Sequence, residues 1–273
     1  MAEENNNNTN ILGKRSLPNF LLLLLCLSIP CWVFGAMYDV QIFPGFKLFQ
    51  LPLAMPMFAA LILIYRENGT SGVIALLKRT YDFRLFKPII WLLPILFIYP
   101  SISFLDYCIL RWSGTAIPPP HFSLPVMLGY TTVFFMTYGE ELGLTGYATD
   151  PMQQRFSALK SGLLLGLVWA GYHIPGFIIS QYYSFEWIFW HALYIIATRV
   201  LFVWVYNNSG KSLFSMALFH WTYGFFWSLW PQENLQKAVS FYDPRICAVL
   251  AIAFAAVVVY LWGPKTLAKY RYA

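Results

Sequence analysis

Residues 19–36 read NFLLLLLCLSIPCWVFGA and contain no charged side chain. A helix that crosses a bilayer needs about 20 mainly apolar residues, so this stretch predicts a membrane span. Seven further apolar runs follow it along the chain, at 47–65, 88–110, 123–147, 161–180, 186–206, 212–230 and 244–263. The sequence therefore predicts an all-α, polytopic membrane protein with about eight transmembrane helices.

The composition of the chain is typical of a protein held mostly inside lipid. Of its 273 residues, 59 % are hydrophobic and 11 % are charged, whereas a soluble domain carries about 25 % charged residues. The net charge is +6, but the basic residues lie between the apolar runs, which favours membrane topology over nucleic-acid binding. The four cysteines have no C-x-x-C spacing and indicate neither a disulfide framework nor a zinc site. We expect the lipid bilayer, and no nucleic acid, among the partners.

The basic residues also predict how the chain is oriented. If the N terminus is cytosolic, the cytosolic segments hold 13 of the 18 lysines and arginines, and the outer segments hold four. An excess of Lys and Arg marks the cytosolic side, so both termini are expected there. Residues 1–18 are polar and Asn-rich, which predicts a disordered cytosolic N terminus before one transmembrane domain at 19–273. A prokaryotic plasma membrane is the expected location.

Five ionisable residues inside the apolar runs are predicted to share one depth. A charge inside a bilayer costs at least a few kcal/mol, so function is the default explanation for such groups. The helical rise places these five roughly 10–18 Å from the cytosolic ends of four helices. They are Glu140, Glu141, His173, Arg199 and His220. Asp106 and His191 fall near the outer face and are not expected to join them.

The side chains of this layer suit the hydrolysis of an amide. Two adjacent carboxylates in a low dielectric cannot both ionise cheaply, so we expect one to stay neutral and the other to act as a base. A glutamate beside a neutral histidine can deprotonate a water, and a second histidine can stabilise the oxyanion. The same residue types could hold a divalent metal, although no H-E-x-x-H pattern occurs. The sequence assigns no metal and no other cofactor.

Three segments of the chain carry a family pattern: EELGLTGY at 140–147, WAGYHIP at 169–175 and SLFSMALFHWTYG at 212–224. In order and spacing they resemble the CAAX-protease and bacteriocin-processing family of intramembrane glutamic endopeptidases, also called the Abi family. The resemblance covers about 130–228. It implies that Glu140 is the general base, aided by His173, that Glu141 supports the site, and that His220 helps to form the oxyanion hole. It also implies a peptide or protein substrate, with or without a prenyl group.

The sequence departs from the family pattern at two positions. Thr145 stands where the family has an arginine four residues after Glu141, so the usual counterion of that carboxylate is missing. Gly224 stands where the family has an asparagine four residues after His220, so a second oxyanion donor is missing. Arg199 has the depth to pair with Glu141 from a neighbouring helix; the alternative is that it extends to the inner interface. Arg199 and Thr145 are therefore candidate supporting residues.

These observations predict a metal-independent, glutamate-dependent endopeptidase that cleaves a peptide bond near the cytosolic membrane face. An alternative from another class is a catalytically impaired relative that acts as a membrane binding or scaffold protein, which the residues Thr145 and Gly224 favour. A third interpretation is a proton-coupled carrier that uses the carboxylates as a relay. The sequence shows no inverted repeat, which counts against the carrier.

Overall fold

A computed structural model describes residues 15–43, 46–81, 83, 86–117, 124, 137–225 and 242–268. Within them lie the α-helices α1 Leu17–Met37, α2 Met55–Tyr81, α3 Leu92–Trp112, α4 Asp150–Arg155, α5 Ala158–Ser180, α6 Phe185–Asn208, α7 Leu213–Phe225 and α8 Pro244–Trp262. A short antiparallel pair of strands, β1 Gln41–Phe43 and β2 Phe46–Lys47, follows α1. Two 3-10 helices lie at Leu48–Ala54 and Ile89–Trp91, and a π-helix lies at Leu142–Thr149.

The described helices confirm an all-α, multi-pass membrane fold. Six helical segments are long and apolar enough to span a membrane: Leu17–Met37, Leu48–Tyr81, Ile89–Trp112, Ala158–Ser180, Phe185–Asn208 and Pro244–Trp262. The other two predicted spans, 123–147 and 212–230, lie partly outside the described residues. The described part of the first is helical and includes the turn at 137–141 and most of the π-helix. The described part of the second is mainly α7.

Helix α1 shows how the apolar sequence divides between protein and lipid. The Ser16 hydroxyl caps the helix by accepting from the Asn19 N–H. Phe20 and Leu24, one turn apart, are buried against the other helices, whereas Leu22 on another face is 63 % exposed. The helix and its cap thus include the last residues of the stretch 1–18 that was predicted to be disordered; residues 1–14 lie outside the described part.

Helices α5 and α6 pack closely through two glycines of α5. A Cβ atom added at Gly166 would lie 2.9 Å from the Ile196 Cα, and one added at Gly162 would lie 3.0 Å from the Val200 Cα. Small residues spaced by four allow the backbones of membrane helices to approach in this way. The contact sets the distance between the two helices that carry His173 and Arg199.

We expect Gly166→Leu to lower the thermal stability of the protein in detergent. The added side chain would meet the α6 backbone, and overpacking of this kind costs about 1–3 kcal/mol. Gly171→Leu on the same helix is the matched control, because a Cβ there meets nothing within 4 Å. The control should keep or raise the Tm, since leucine favours a helix over glycine. Equal Tm values for both variants would contradict the tight α5–α6 contact.

Candidate active site

Glu140 and Glu141 end a helical turn at 137–141, immediately before the π-helix. All residues of the π-helix are buried. Gly143 lets it approach α2, since a Cβ at this position would collide with the backbone oxygen of Pro56. π-helical turns are rare and often occur at functional sites. The acidic pair is therefore fixed at the point where the helical geometry changes.

Arg15 holds the π-helix from the N-terminal end of α1. Its Nη1 donates to the backbone oxygens of Gly146, at 2.9 Å, and Tyr147, at 3.1 Å. The Tyr147 hydroxyl donates to Glu67 Oε1 at 2.6 Å and accepts from the Ser16 N–H at 3.1 Å. Buried carbonyl groups need hydrogen-bond partners, and the buried Arg15 guanidinium donates to two of them.

Glu140 is linked to α5 through Trp169 and His173. Its Oε2 accepts from the Trp169 indole Nε1 at 2.8 Å, and its Oε1 lies 4.0 Å from His173 Nε2. His173 Nδ1 lies 2.8 Å from the backbone oxygen of Trp169. A carbonyl oxygen only accepts, so Nδ1 donates, and in the neutral ring Nε2 is the free nitrogen that faces Glu140. A water between the two could contact both, which is the geometry of general-base activation.

Glu141 points to a different set of partners. It is fully buried, and Arg199 Nη1 donates to both of its oxygens, at 2.9 Å to Oε1 and 3.1 Å to Oε2. The Thr145 hydroxyl donates to Oε2 at 2.5 Å, and His220 Nδ1 lies 3.1 Å from Oε1. Arg199 Nη2 also donates to the Thr145 hydroxyl at 2.9 Å. Both oxygens of Glu141 are thus occupied by donors.

The sequence left two positions open for Arg199, and the structure shows the one in which it pairs with Glu141. Its side chain is 0 % exposed, so it pairs with Glu141 and does not extend to the interface. The guanidinium also lies over the rings of Trp169 and Phe202, 5.5 and 5.2 Å from their centroids. A positive charge from α6 thereby compensates Glu141, so the pair of carboxylates does not require a neutral member. Thr145 bridges the two charges.

The layer lies deeper in the helices than the sequence suggested. Helix α5 begins at Ala158, three residues before the apolar run, and ends at Ser180. His173 is therefore roughly 22 Å from the start of α5 and roughly 10 Å from its end. Arg199 lies roughly 14 Å from the end of α6 at Asn208. Polar residues extend the helices beyond the apolar runs, so both residues lie farther from these two helix ends, the start of α5 and the end of α6, than the sequence suggested.

Asp106 and His191 make their hydrogen bonds outside this site, although the Phe177 ring contacts both His191 and His173. His191 Nδ1 is 3.1 Å from the Tyr242 hydroxyl, and Asp106 Oδ2 accepts from the Asp243 N–H at 3.4 Å. Within the described residues, no group of three His, Cys, Asp or Glu side chains is close enough to hold a metal ion.

Trp169 is the site residue that sequence reasoning overlooked. It is the first residue of the segment WAGYHIP, to which no role was assigned, yet its indole bonds to Glu140 and its carbonyl orients His173. The available signal was spacing, because a residue four positions before His173 lies one helical turn away on the same face. Thr222 does not replace the missing donor at Gly224, since its hydroxyl donates to the backbone oxygens of Ile95 and Phe219.

Two comparisons with known proteins agree with these segments. A family model described as "Type II CAAX prenyl endopeptidase Rce1-like" matches residues 122–226, just over a third of the chain. The chain is also 26 % identical over 192 residues to "CAAX prenyl protease 2" of Methanococcus maripaludis, covering 64 % of this chain and 69 % of the relative. The resemblance that the three segments indicated is therefore confirmed, and it supports protease activity in a multi-pass membrane protein.

Proposed function

We propose that this relative of the CAAX-protease and bacteriocin-processing family is an endopeptidase that uses Glu140 as its general base. The observation that carries the proposal is the Glu140–His173 pair, with 4.0 Å between Oε1 and Nε2. A water in this position would lose its proton to Glu140 and attack the substrate carbonyl carbon. The proton would then pass to the leaving amine.

The two adjacent glutamates would have different roles because their partners differ. Trp169 donates to Glu140 Oε2, whereas Oε1 faces His173 Nε2 across 4.0 Å, so Oε1 is the oxygen available to a water. Glu141 is saturated by Arg199, Thr145 and His220, and would act by orienting His220. An imidazole whose Nδ1 donates to Glu141 presents its Nε2 to the site, and a second proton on Nε2, which makes the ring an imidazolium, would stabilise the oxyanion.

We infer a mechanism that uses no metal. Glu141 has both oxygens engaged by hydrogen-bond donors, which makes it a poor metal ligand, and among the described residues this leaves too few free ligand atoms around Glu140. Activity should therefore survive dialysis against a chelator. Loss of activity in the chelator, with recovery on adding a divalent ion, would contradict the metal-independent part of the proposal.

The substrate would be a peptide or protein, with or without a prenyl group, since the relatives are named as CAAX prenyl proteases. We further infer a single transmembrane domain at 19–273, with a family-like core at about 130–228. From the basic residues we infer cytosolic termini, and a prokaryotic plasma membrane stays a prediction. Cleavage near the cytosolic face stays a prediction from the sequence.

The experiment that tests the proposal is incubation of the purified protein, in proteoliposomes, with peptides that differ in sequence and in prenylation. Cleavage products from wild type, absent with Glu140→Gln, would support it. Equal product from the two proteins would contradict it. Substrate uptake that depends on a pH gradient, without cleavage, would instead indicate a carrier.

A catalytically silent binding protein is the second candidate, and one observation favours it: Gly224 has no side chain to donate a hydrogen bond one turn after His220. If the protein is an enzyme, Gly224→Asn should raise kcat, by roughly tenfold or more, because one oxyanion donor is worth about 10²–10³ in rate. Gly224→Leu, which adds bulk without a donor, is the control and should give no increase. No increase with Gly224→Asn, together with no cleavage by wild type, would favour the silent binding protein.

A further inference from the structure

A cavity of about 560 Å³ lies beside the candidate active site. It is bounded by the end of α1, the 3-10 helix Leu48–Ala54 and the second half of α5. Its walls are rich in aromatic rings, contributed by Trp32, Phe49, Tyr172, Phe177, Tyr182 and Tyr183. This volume falls in the range of about 300–1,000 Å³ that is usual for ligand sites.

The cavity reaches the candidate active site at His173, which forms part of its wall. The His173 side chain keeps 17 % of its surface exposed, whereas that of Glu140 keeps 6 %. The neighbouring Tyr172 hydroxyl is buried and interacts with Glu140. A peptide in the cavity would therefore reach His173, with the Tyr172 phenol beside it.

The outer end of the cavity opens at an exposed ion pair. Lys47 Nζ lies 2.7 Å from Asp39 Oδ1, and both residues line the cavity. Asp39 follows the C-terminal end of α1, while Arg15 precedes its first residue, Leu17. The length of α1 separates these two ends by about 30 Å. The opening is thus at the end of the molecule away from the Arg15 contacts.

We propose that this cavity is the entrance by which substrate reaches Glu140 and His173, and that it binds an extended peptide segment carrying large apolar side chains. The inference rests on the proposed endopeptidase function. Aromatic walls favour apolar and aromatic side chains, and the polar groups at both ends fix the orientation of the peptide.

The entrance bears on two predictions made from the sequence. Cytosolic termini would place the Asp39–Lys47 opening on the outer side of the membrane. Cleavage near the cytosolic face would instead need an opening at the end that carries Arg15. With this entrance, cytosolic termini and cytosolic cleavage exclude each other.

Gly176 provides a direct test, since it lines the cavity and a Cβ added there meets nothing within 4 Å. Gly176→Leu should therefore fold, and should lower kcat/KM at least tenfold for peptides with large apolar residues. Gly171→Leu is the matched control on α5: its Cβ is also unhindered, but it lies outside the cavity lining. It should stay within twofold of wild type.

Chemical modification of the folded protein at the same position tests the entrance without any effect on folding. Gly176→Cys, purified in active form, is treated with a bulky reagent that forms a mixed disulfide and is then reduced. Activity should fall at least tenfold and return on reduction, while Gly171→Cys and wild type, treated alike, should not change. Full activity of Gly176→Leu and of the modified Gly176→Cys, with Glu140→Gln inactive, would refute the entrance alone. An active Glu140→Gln would refute the underlying endopeptidase function.

Discussion

Glu140→Gln is expected to lower kcat by about 10²–10⁴, the usual contribution of a positioned general base. The amide has nearly the shape of the carboxylate and can still accept from the Trp169 indole, so the local geometry should persist. It cannot take a proton from water at neutral pH. The measurement is the initial rate of product formation, by chromatography, on one peptide that wild type cleaves.

A second glutamine variant controls for the loss of one charge. Glu186 lies in the first turn of α6 with a largely exposed side chain, so Glu186→Gln should leave kcat unchanged. The Tm of Glu140→Gln should stay close to that of wild type, because no buried ion pair is broken. A fall in kcat of less than tenfold, with the protein folded, would remove Glu140 from the role of base.

Arg199→Ala is expected to lower both the stability and the activity of the protein. It would leave the fully buried Glu141 without its counterion, and breaking a buried ion pair from one side costs about 3–5 kcal/mol. The Thr145 hydroxyl would also lose the donor that it shares with Glu141. The measurements are the Tm in detergent and kcat on the same peptide. A wild-type rate would show that the ion pair has no part in catalysis.

Two double variants separate the structural role of this pair from its catalytic role. Arg199→Met with Glu141→Gln removes both charges, so most of the stability should return while kcat stays low. Arg199→Ala with Thr145→Arg returns the guanidinium to the position that the family uses, one turn after Glu141. It should recover part of the activity lost in Arg199→Ala. Failure of both variants to recover either property would contradict the assigned pairing.

The sequence predicted the helical class of the fold and the set of residues in the polar layer, because hydropathy and helical rise fix which residues lie at similar depth. It left the position of Arg199 open. Depth is one coordinate only, and the rotation of α6, which decides whether Arg199 faces Glu141 or lipid, comes from tertiary packing. Helix ends were less predictable, since α5 starts in polar sequence at Ala158.

Three features of the site had little sequence signal. The role of Trp169 depends partly on its backbone carbonyl, which any residue would supply. The π-helix depends on hydrogen-bond pairing between positions five apart, and the composition of LGLTGYAT is compatible with an ordinary helix. Arg15 lies in a stretch that reads as a polar tail, and only the folded chain brings it to Gly146 and Tyr147.

The π-helix also restricts how the length of this part of the chain can vary. Each residue of an ordinary helix turns the following side chains by about 100°. One residue removed between Leu142 and Thr145 would therefore rotate the acidic pair relative to Gly146 and Tyr147, which Arg15 contacts. Glu140 would then occupy the position of Glu141, and Trp169 and His173 of α5 would have no carboxylate beside them. The number of residues from Glu141 to Gly146 is consequently as restricted as their identity, and a gap in this interval marks a relative whose two carboxylates are arranged differently.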